Sequence, residues 1–320
     1  MRKKLNKLID NSKNAKEENM LAEYLKGRII NQSLFDLQLS LINVHDKAID
    51  ERIGTYKTHQ WLKKEYRWYF NEKWDDITLT SKSKFNKTVW WCWLQGLSNA
   101  PKLSKMCLKS AQEIFSDYKF NIVTLNNLDK YLEIPSNIMK KYKAGIIKPA
   151  TFSDILRLML LDKYGGVWID STVLCTNDRI KSIIEHNSCF AFKNGILENN
   201  DDIKISSWFL SCFPGDLLIH DTKRLMLNYW ENHDFTENYY IMHLLFTLVT
   251  EKYPELWNSV PTYSNVPPHI LVKELNASFS EQRFKQLDNF SSVHKLNNHQ
   301  NYDTGNTLYS YLLKKYEEGK

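Results

Sequence analysis

Residues 150–172 read ATFSDILRLMLLDKYGGVWIDST, and this stretch decides the fold. The spacing predicts a helix over 151–164 that is apolar on most sides, with Thr151 or Ser153 available to cap its N-terminus. Asp154 and Arg157 stand three apart and so share one helix face. A charged pair in an otherwise buried helix is either a structural salt bridge or the lining of a polar cavity. Gly165 and Gly166 end the helix in a way that Cβ-bearing residues resist. A short apolar strand over 167–169 then delivers Asp170 at its carboxyl end. In open α/β sheets ligands gather at that end, and a carboxylate placed there suits a hard divalent cation bridging phosphates.

Working outward, the run TVWWCWL over 88–94 is β-branched and aromatic and ends at Gln95-Gly96, which predicts a buried strand and a turn. Helical spacing returns over 104–115. A second strand is expected over 120–125, followed by short helices at 128–132 and 136–142. Downstream, strands are expected at 189–192 and 205–210, and helices at 216–230, 239–253 and 309–316. Residues 258–268 are turn-rich. Strands alternating with helices predict βαβ units and a mainly parallel sheet. Residues 1–84 predict a polar helical appendage, with Met20, Leu21, Tyr24 and Leu25 on one stripe and Leu34, Leu37, Leu41 and Ile42 on another. It is expected to pack on a catalytic domain spanning 85–320.

Composition narrows the class. Hydrophobic residues make up 42% and aromatics 13%, enough for a sizeable core and incompatible with intrinsic disorder. The formal net charge is +6. Most of the excess sits at the start, where Arg2, Lys3, Lys4, Lys7, Lys13 and Lys16 face only Asp10. The remainder is nearly neutral, which excludes the basic stripe of a nucleic-acid binder. The basic start is either a solvated helix end or an attraction to anionic lipid. The longest apolar runs, 241–249 and 155–161, are interrupted by His243 and Arg157 and fall far short of the roughly 20 residues a membrane span needs. No apolar signal region follows the first basic residues. Cys92, Cys107, Cys175, Cys189 and Cys212 form no CxxC pair, so neither a zinc site nor a disulfide framework is indicated and a reducing cytoplasm is expected.

The pattern S-D-I-L-R…Y-G-G-V-W-I-D-S-T resembles the signature of family 32 glycosyltransferases with a DXD sugar-binding region. It is more similar still to the bacterial capsular polysaccharide synthesis glycosyltransferases, through Trp91-Cys92-Trp93-Leu94-Gln95-Gly96 and the helix carrying Pro101, Cys107 and Ser110. The resemblance implies a GT-A fold, an α/β architecture whose Rossmann-like half binds the nucleotide-sugar. It assigns Trp93 to stacking on uracil, with Gln95 beside it, and Asp154 and Arg157 to contacts with the nucleotide-sugar. Trp168 takes the aromatic position two before the motif aspartate. Asp170-Ser171-Thr172 falls on the DXD, with Asp170 and Arg157 as the catalytic pair. Thr172 replaces the second acidic residue, so Asp170 is expected to bind Mn²⁺ or Mg²⁺ with help from water, diphosphate and the C-terminal half. Ser207 and Trp208 fall in the segment that closes the donor site in relatives. His294 and Lys295 are expected either to return a polar group to the diphosphate or to be a surface pair. Tyr239, Tyr240 and His243 either line the acceptor side or form a core stripe.

The expected activity is retaining transfer of a hexose, galactose before glucose, from a UDP-sugar to a lipid-diphosphate-linked saccharide. The site of action would be the inner membrane face, reached by peripheral association. A toxin-like protein glycosyltransferase and a non-catalytic subunit of a polysaccharide-assembly complex are the competing readings. The sequence leaves the oligomeric state open.

Overall fold

The computed structural model describes residues 47–72, 84–195 and 202–317. The stripes at 20–25 and 34–42 and the basic cluster in 1–16 lie outside the described residues.

Helix α1 (Lys47–Glu65) and the short helix Arg67–Asn71 belong to the expected N-terminal helical region. They pack against the rest of the fold, with Leu62, Tyr66 and Tyr69 buried. The hydroxyls of Tyr69 and Tyr253 both donate to Asp221 Oδ2, at 2.8 and 2.9 Å.

The strands of the central sheet are β1 (Thr88–Cys92), β2 (Lys119–Val123), β3 (Gly166–Ile169), β5 (Cys189–Lys193) and β6 (Ile205–Cys212), with β4 (Val173–Cys175) outside it. These five lie in the order β2-β1-β3-β6-β5. Strands β1, β2 and β3 run parallel, the Rossmann-like part of the expectation. Strands β6 and β5 complete the sheet antiparallel, so it is mixed where a mainly parallel sheet was expected. The crossovers are helix α2 (Lys102–Ile114) between β1 and β2, and helix α3 (Pro149–Tyr164) before β3. Helices α4 (Leu217–Asn232) and α5 (Ile241–Lys252) share one hydrophobic core with α3.

Helix α3 is the central beam. Phe152, Ile155, Leu156, Leu158, Leu160 and Leu161 are all buried, each worth roughly 1.5–3 kcal/mol relative to exposure. It starts two residues before the sequence expectation: Lys148 is the N-cap, Pro149 occupies the first turn, and no side chain caps it. Proline's fixed φ favours that position, so Thr151 and Ser153 lie inside the helix. Gly165 and Gly166 have φ of 64° and 91°. A Cβ on Gly166 would stand 2.3 Å from the Thr88 carbonyl oxygen, so this glycine lets β3 meet β1.

A second, two-stranded sheet pairs β4 with β7 (Val293–Lys295), antiparallel. Neither strand is anticipated from the sequence. Three residues are too few for a period to show.

Candidate functional site

Asp170 follows the last residue of β3. Its backbone N–H donates to the Trp208 carbonyl at 2.9 Å, and its own carbonyl accepts from Val173 N–H at 3.0 Å. The chain therefore turns through Asp170-Ser171-Thr172-Val173 directly into β4. On the sheet's carboxyl edge, Trp93 and Gln95 lie just past the end of parallel β1, as Asp170 lies past β3.

Four side chains converge with Asp170. Trp168 Nε1 donates to Asp170 Oδ1 at 2.7 Å. Arg157 Nη2 donates to the same oxygen at 2.8 Å, and its Nη1 bonds Asp154 Oδ1. Lys295 Nζ donates to Asp170 Oδ2 at 2.9 Å. The Arg157 guanidinium also lies 4.9 Å from the centre of the Trp168 ring. Arg157 is 3% exposed, and its Nε has no partner among the described residues. The Asp154–Arg157 pair is formed, and through Arg157 it is joined to the Asp170 carboxylate.

Two carboxylates in one cluster are pushed in opposite directions. Burial raises the Asp170 carboxyl, but Lys295 and Arg157 outweigh it and hold it at about 2. For Asp154 burial wins, and Arg157 only partly offsets it, so that carboxyl stands at about 6. Opposed shifts within one polar cluster are a signature of functional sites.

Lys295 arrives through β7. The register pairs Val173 with Lys295, and Leu296 N–H donates to the Thr172 carbonyl at 2.8 Å. Successive strand side chains face opposite ways, and this separates the His294-Lys295 pair. Lys295 reaches Asp170. His294 is fully buried on the other face, with Nε2 3.3 Å from Thr176 Oγ1, and burial pushes its imidazole down to about 4. His294 is thus a core residue in this structure, while Lys295 faces the Asp170 carboxylate.

Trp208 is likewise packed inside the fold. Its ring is 6% exposed and stacks on Phe192 with centroids 4.9 Å apart, so the side chain belongs to the core. Its contribution to the site is its carbonyl. Ser207 is buried on β6 and Ser171 is half-buried in the turn. Trp93 is half-buried against Trp91, Ala100 and Leu108, with its Nε1 unpartnered among the described residues. Gln95 is exposed. Among the described residues no hydrogen bond or ring contact joins Trp93 or Gln95 to the Asp170 cluster. Trp168 is 1% exposed, and its indole N–H is spent on Asp170.

Just before α5, Tyr239 is 72% exposed, and partial burial followed by the charge of Asp154 raises its phenol. The Tyr240 ring meets His243 edge-on at 5.6 Å. Burial, reinforced by Arg157, pushes His243 down to about 3, so the imidazole is neutral. Its Nδ1 has no partner among the described residues.

The divalent cation implied by the resemblance finds no donor set here. Both Asp170 oxygens are engaged, one by Lys295 and the other by Arg157 and Trp168. Asp154 is tied to Arg157, and position 172 carries a threonine. Among the described residues no three His, Cys, Asp or Glu side chains are placed to hold a metal ion. The residues do not fit a protein-held divalent cation.

A family model described as "Capsular polysaccharide synthesis protein" matches residues 40–315. No curated protein matches the chain. Among solved structures it is similar to a protein described as PaToxG glycosyltransferase, with 14% identity, coverage of 74% of this chain and 86% of that one, and a TM-score of 0.39. It is also similar to a glycosyltransferase involved in the glycosylation of the major capsid of PBCV-1. There the identity is 12%, the coverage 65% of this chain and 92% of that one, and the TM-score 0.32.

Proposed function

The chain belongs to the capsular polysaccharide synthesis protein family, and from that premise we propose that it is a retaining glycosyltransferase of the GT-A type. Its donor is a UDP-hexose, galactose before glucose, and its acceptor a lipid-diphosphate-linked saccharide. The observation that carries this reading is the position of Asp170. An anionic carboxylate sits at the carboxyl end of three parallel strands, bonded to Arg157, Lys295 and Trp168.

Each group has a task in this reading. Asp170, ionised at neutral pH, accepts hydrogen bonds from hydroxyls of the donor sugar. Arg157 and Lys295 offer charge-assisted donors to the diphosphate. Trp93 offers a π-face to uracil, a contact worth about 1–3 kcal/mol. Tyr239 and His243 lie on the acceptor side. In the Asp170 cluster the second carboxylate, Asp154, is bonded to Arg157, which favours a front-face displacement over a double displacement. The bond from the anomeric carbon to the diphosphate oxygen breaks as the acceptor oxygen bonds on the same face. The acceptor's proton passes to the departing diphosphate.

No helix among the described residues is long and apolar enough to cross a membrane. In this reading the lipid-linked acceptor is met at the inner membrane face by peripheral attachment, and the basic residues between Arg2 and Lys16 supply attraction to anionic lipid. UDP release from UDP-galactose and UDP-glucose tests the proposal. Release from either, faster with galactose, is expected. A folded protein that releases UDP from neither overturns it.

A further inference from the structure

We infer that Lys295 and Arg157, rather than a divalent cation, hold the departing diphosphate, and that this chain therefore transfers sugar without a metal. The inference rests on the donor-site reading above and goes beyond it.

A metal shared between a carboxylate and a diphosphate binds at a carboxylate lone pair, and of the roughly four that Asp170 offers, three already accept hydrogen bonds from Arg157, Trp168 and Lys295. Lys295 Nζ stands on Oδ2 at 2.9 Å, where such a cation would sit. The threonine at position 172 removes the second acidic ligand, and Asp154, the neighbouring carboxylate, is bonded to Arg157. A metal entering here would meet the repulsion of two cations, Arg157 and Lys295, already held on Asp170.

Lys295 has the properties needed to take the metal's place. An ammonium carries three donors, and one is used on Asp170, so two remain for phosphate oxygens. It can bridge carboxylate and diphosphate as a metal does, with a compact point charge. Its position is fixed from both ends: β7 pairs with β4, and Leu296 N–H is bonded to the Thr172 carbonyl. Arg157 adds a second cation with an unpartnered Nε.

The step balances without a metal. The bond between the anomeric carbon and the phosphate oxygen breaks, and its electron pair stays on the diphosphate. Hydrogen bonds from Lys295 and Arg157 offset that charge, and both residues keep their protons. The proton released is the acceptor hydroxyl's, or that of water in donor hydrolysis, and it leaves with the diphosphate.

The test is UDP binding by calorimetry, and UDP release from UDP-galactose and UDP-glucose, each in EDTA and in Mn²⁺. Wild type should bind UDP and turn over within about twofold under the two conditions. Lys295→Ala, shown folded by circular dichroism, should bind UDP at least tenfold more weakly, and Lys295→Arg should recover part of that loss. Binding or release that falls tenfold or more in EDTA and returns with Mn²⁺ overturns the inference and leaves the donor-site reading intact. Wild-type affinity in Lys295→Ala does the same. Absence of UDP binding and release under both conditions overturns the donor-site reading, and the inference with it.

Discussion

Lys295 Nζ lies 2.9 Å from Asp170 Oδ2 although 125 positions separate the two residues. The contact joins the two sheets of the molecule at one carboxylate. Asp170 directly follows a strand of the large sheet, and Lys295 ends a strand of the small one. Removing either changes what the other can do, so the cluster is a unit whose members are tested best by conservative substitutions.

Trp168→Phe keeps most of the buried ring and deletes the N–H bonded to Asp170. A hydrogen bond to a charged group is worth about 1.5–3 kcal/mol. The expected result is a fall in kcat/KM of roughly tenfold or more with a folded protein. Asp170→Asn should cost more activity, because it removes the anion that Arg157 and Lys295 face. Steady-state UDP release measures both, and wild-type kcat/KM in Trp168→Phe would show that its N–H does not position Asp170.

The opposed carboxyl shifts predict two separate pH windows in stability. Asp170 is held at about 2, below its ordinary value of 3.8. Its contribution is present above about pH 4 and is lost as pH falls toward 2. Asp154 is raised to about 6 from 3.8. The folded form therefore holds a proton that the unfolded chain has released, and wild type loses stability as pH rises from about 4 to 6. Asp154→Asn lacks this second dependence. Urea unfolding from pH 3 to 7 should show the variant gaining on wild type across pH 4 to 6. A constant difference would contradict the raised value.

Gly166→Ala forces a Cβ to within 2.3 Å of the Thr88 carbonyl oxygen at a φ of 91°. The strain falls on the β1–β3 seam, and a loss of more than about 2 kcal/mol, or failure to fold, is expected. Gly305→Ala meets nothing within 4 Å and is the control, expected to leave Tm within a few degrees of wild type. Thermal unfolding compares the two.

Trp93→Ala should raise the KM for the UDP-sugar about five- to a hundredfold, the equivalent of one base–aromatic stack. The residue is half-buried, so its loss should lower Tm less than truncation of fully buried Trp91, where about 3–5 kcal/mol is expected. A fall in Tm as large as that of Trp91→Ala with KM unchanged would make Trp93 a packing residue only.

Much of the fold was legible because its signals are local. The apolar run at 150–164, the paired glycines and the strand before Asp170 lie within a few residues of one another, and helix spacing alone puts Asp154 and Arg157 on one face. The small sheet was not legible, since Val173–Cys175 and Val293–Lys295 carry no period of their own and gain meaning only by pairing. The assignment of Trp208 to the donor site comes from the resemblance alone, and its stacking on Phe192 is a contact between two strands that spacing along the chain does not show.

The sequence by itself determined the α/β class, the helix that carries Arg157, and the delivery of Asp170 to a strand's carboxyl end. Each depends on side chains a few residues apart, whose spacing sets which face of a helix or strand they share. Only the tertiary structure decided that Lys295 enters the site while His294 is buried in the core. It also decided that Trp168 spends its N–H on Asp170 and that both carboxylate oxygens are engaged. Those outcomes depend on the register of β7 against β4, and a slip of one residue in that ladder would exchange the faces of Lys295 and His294.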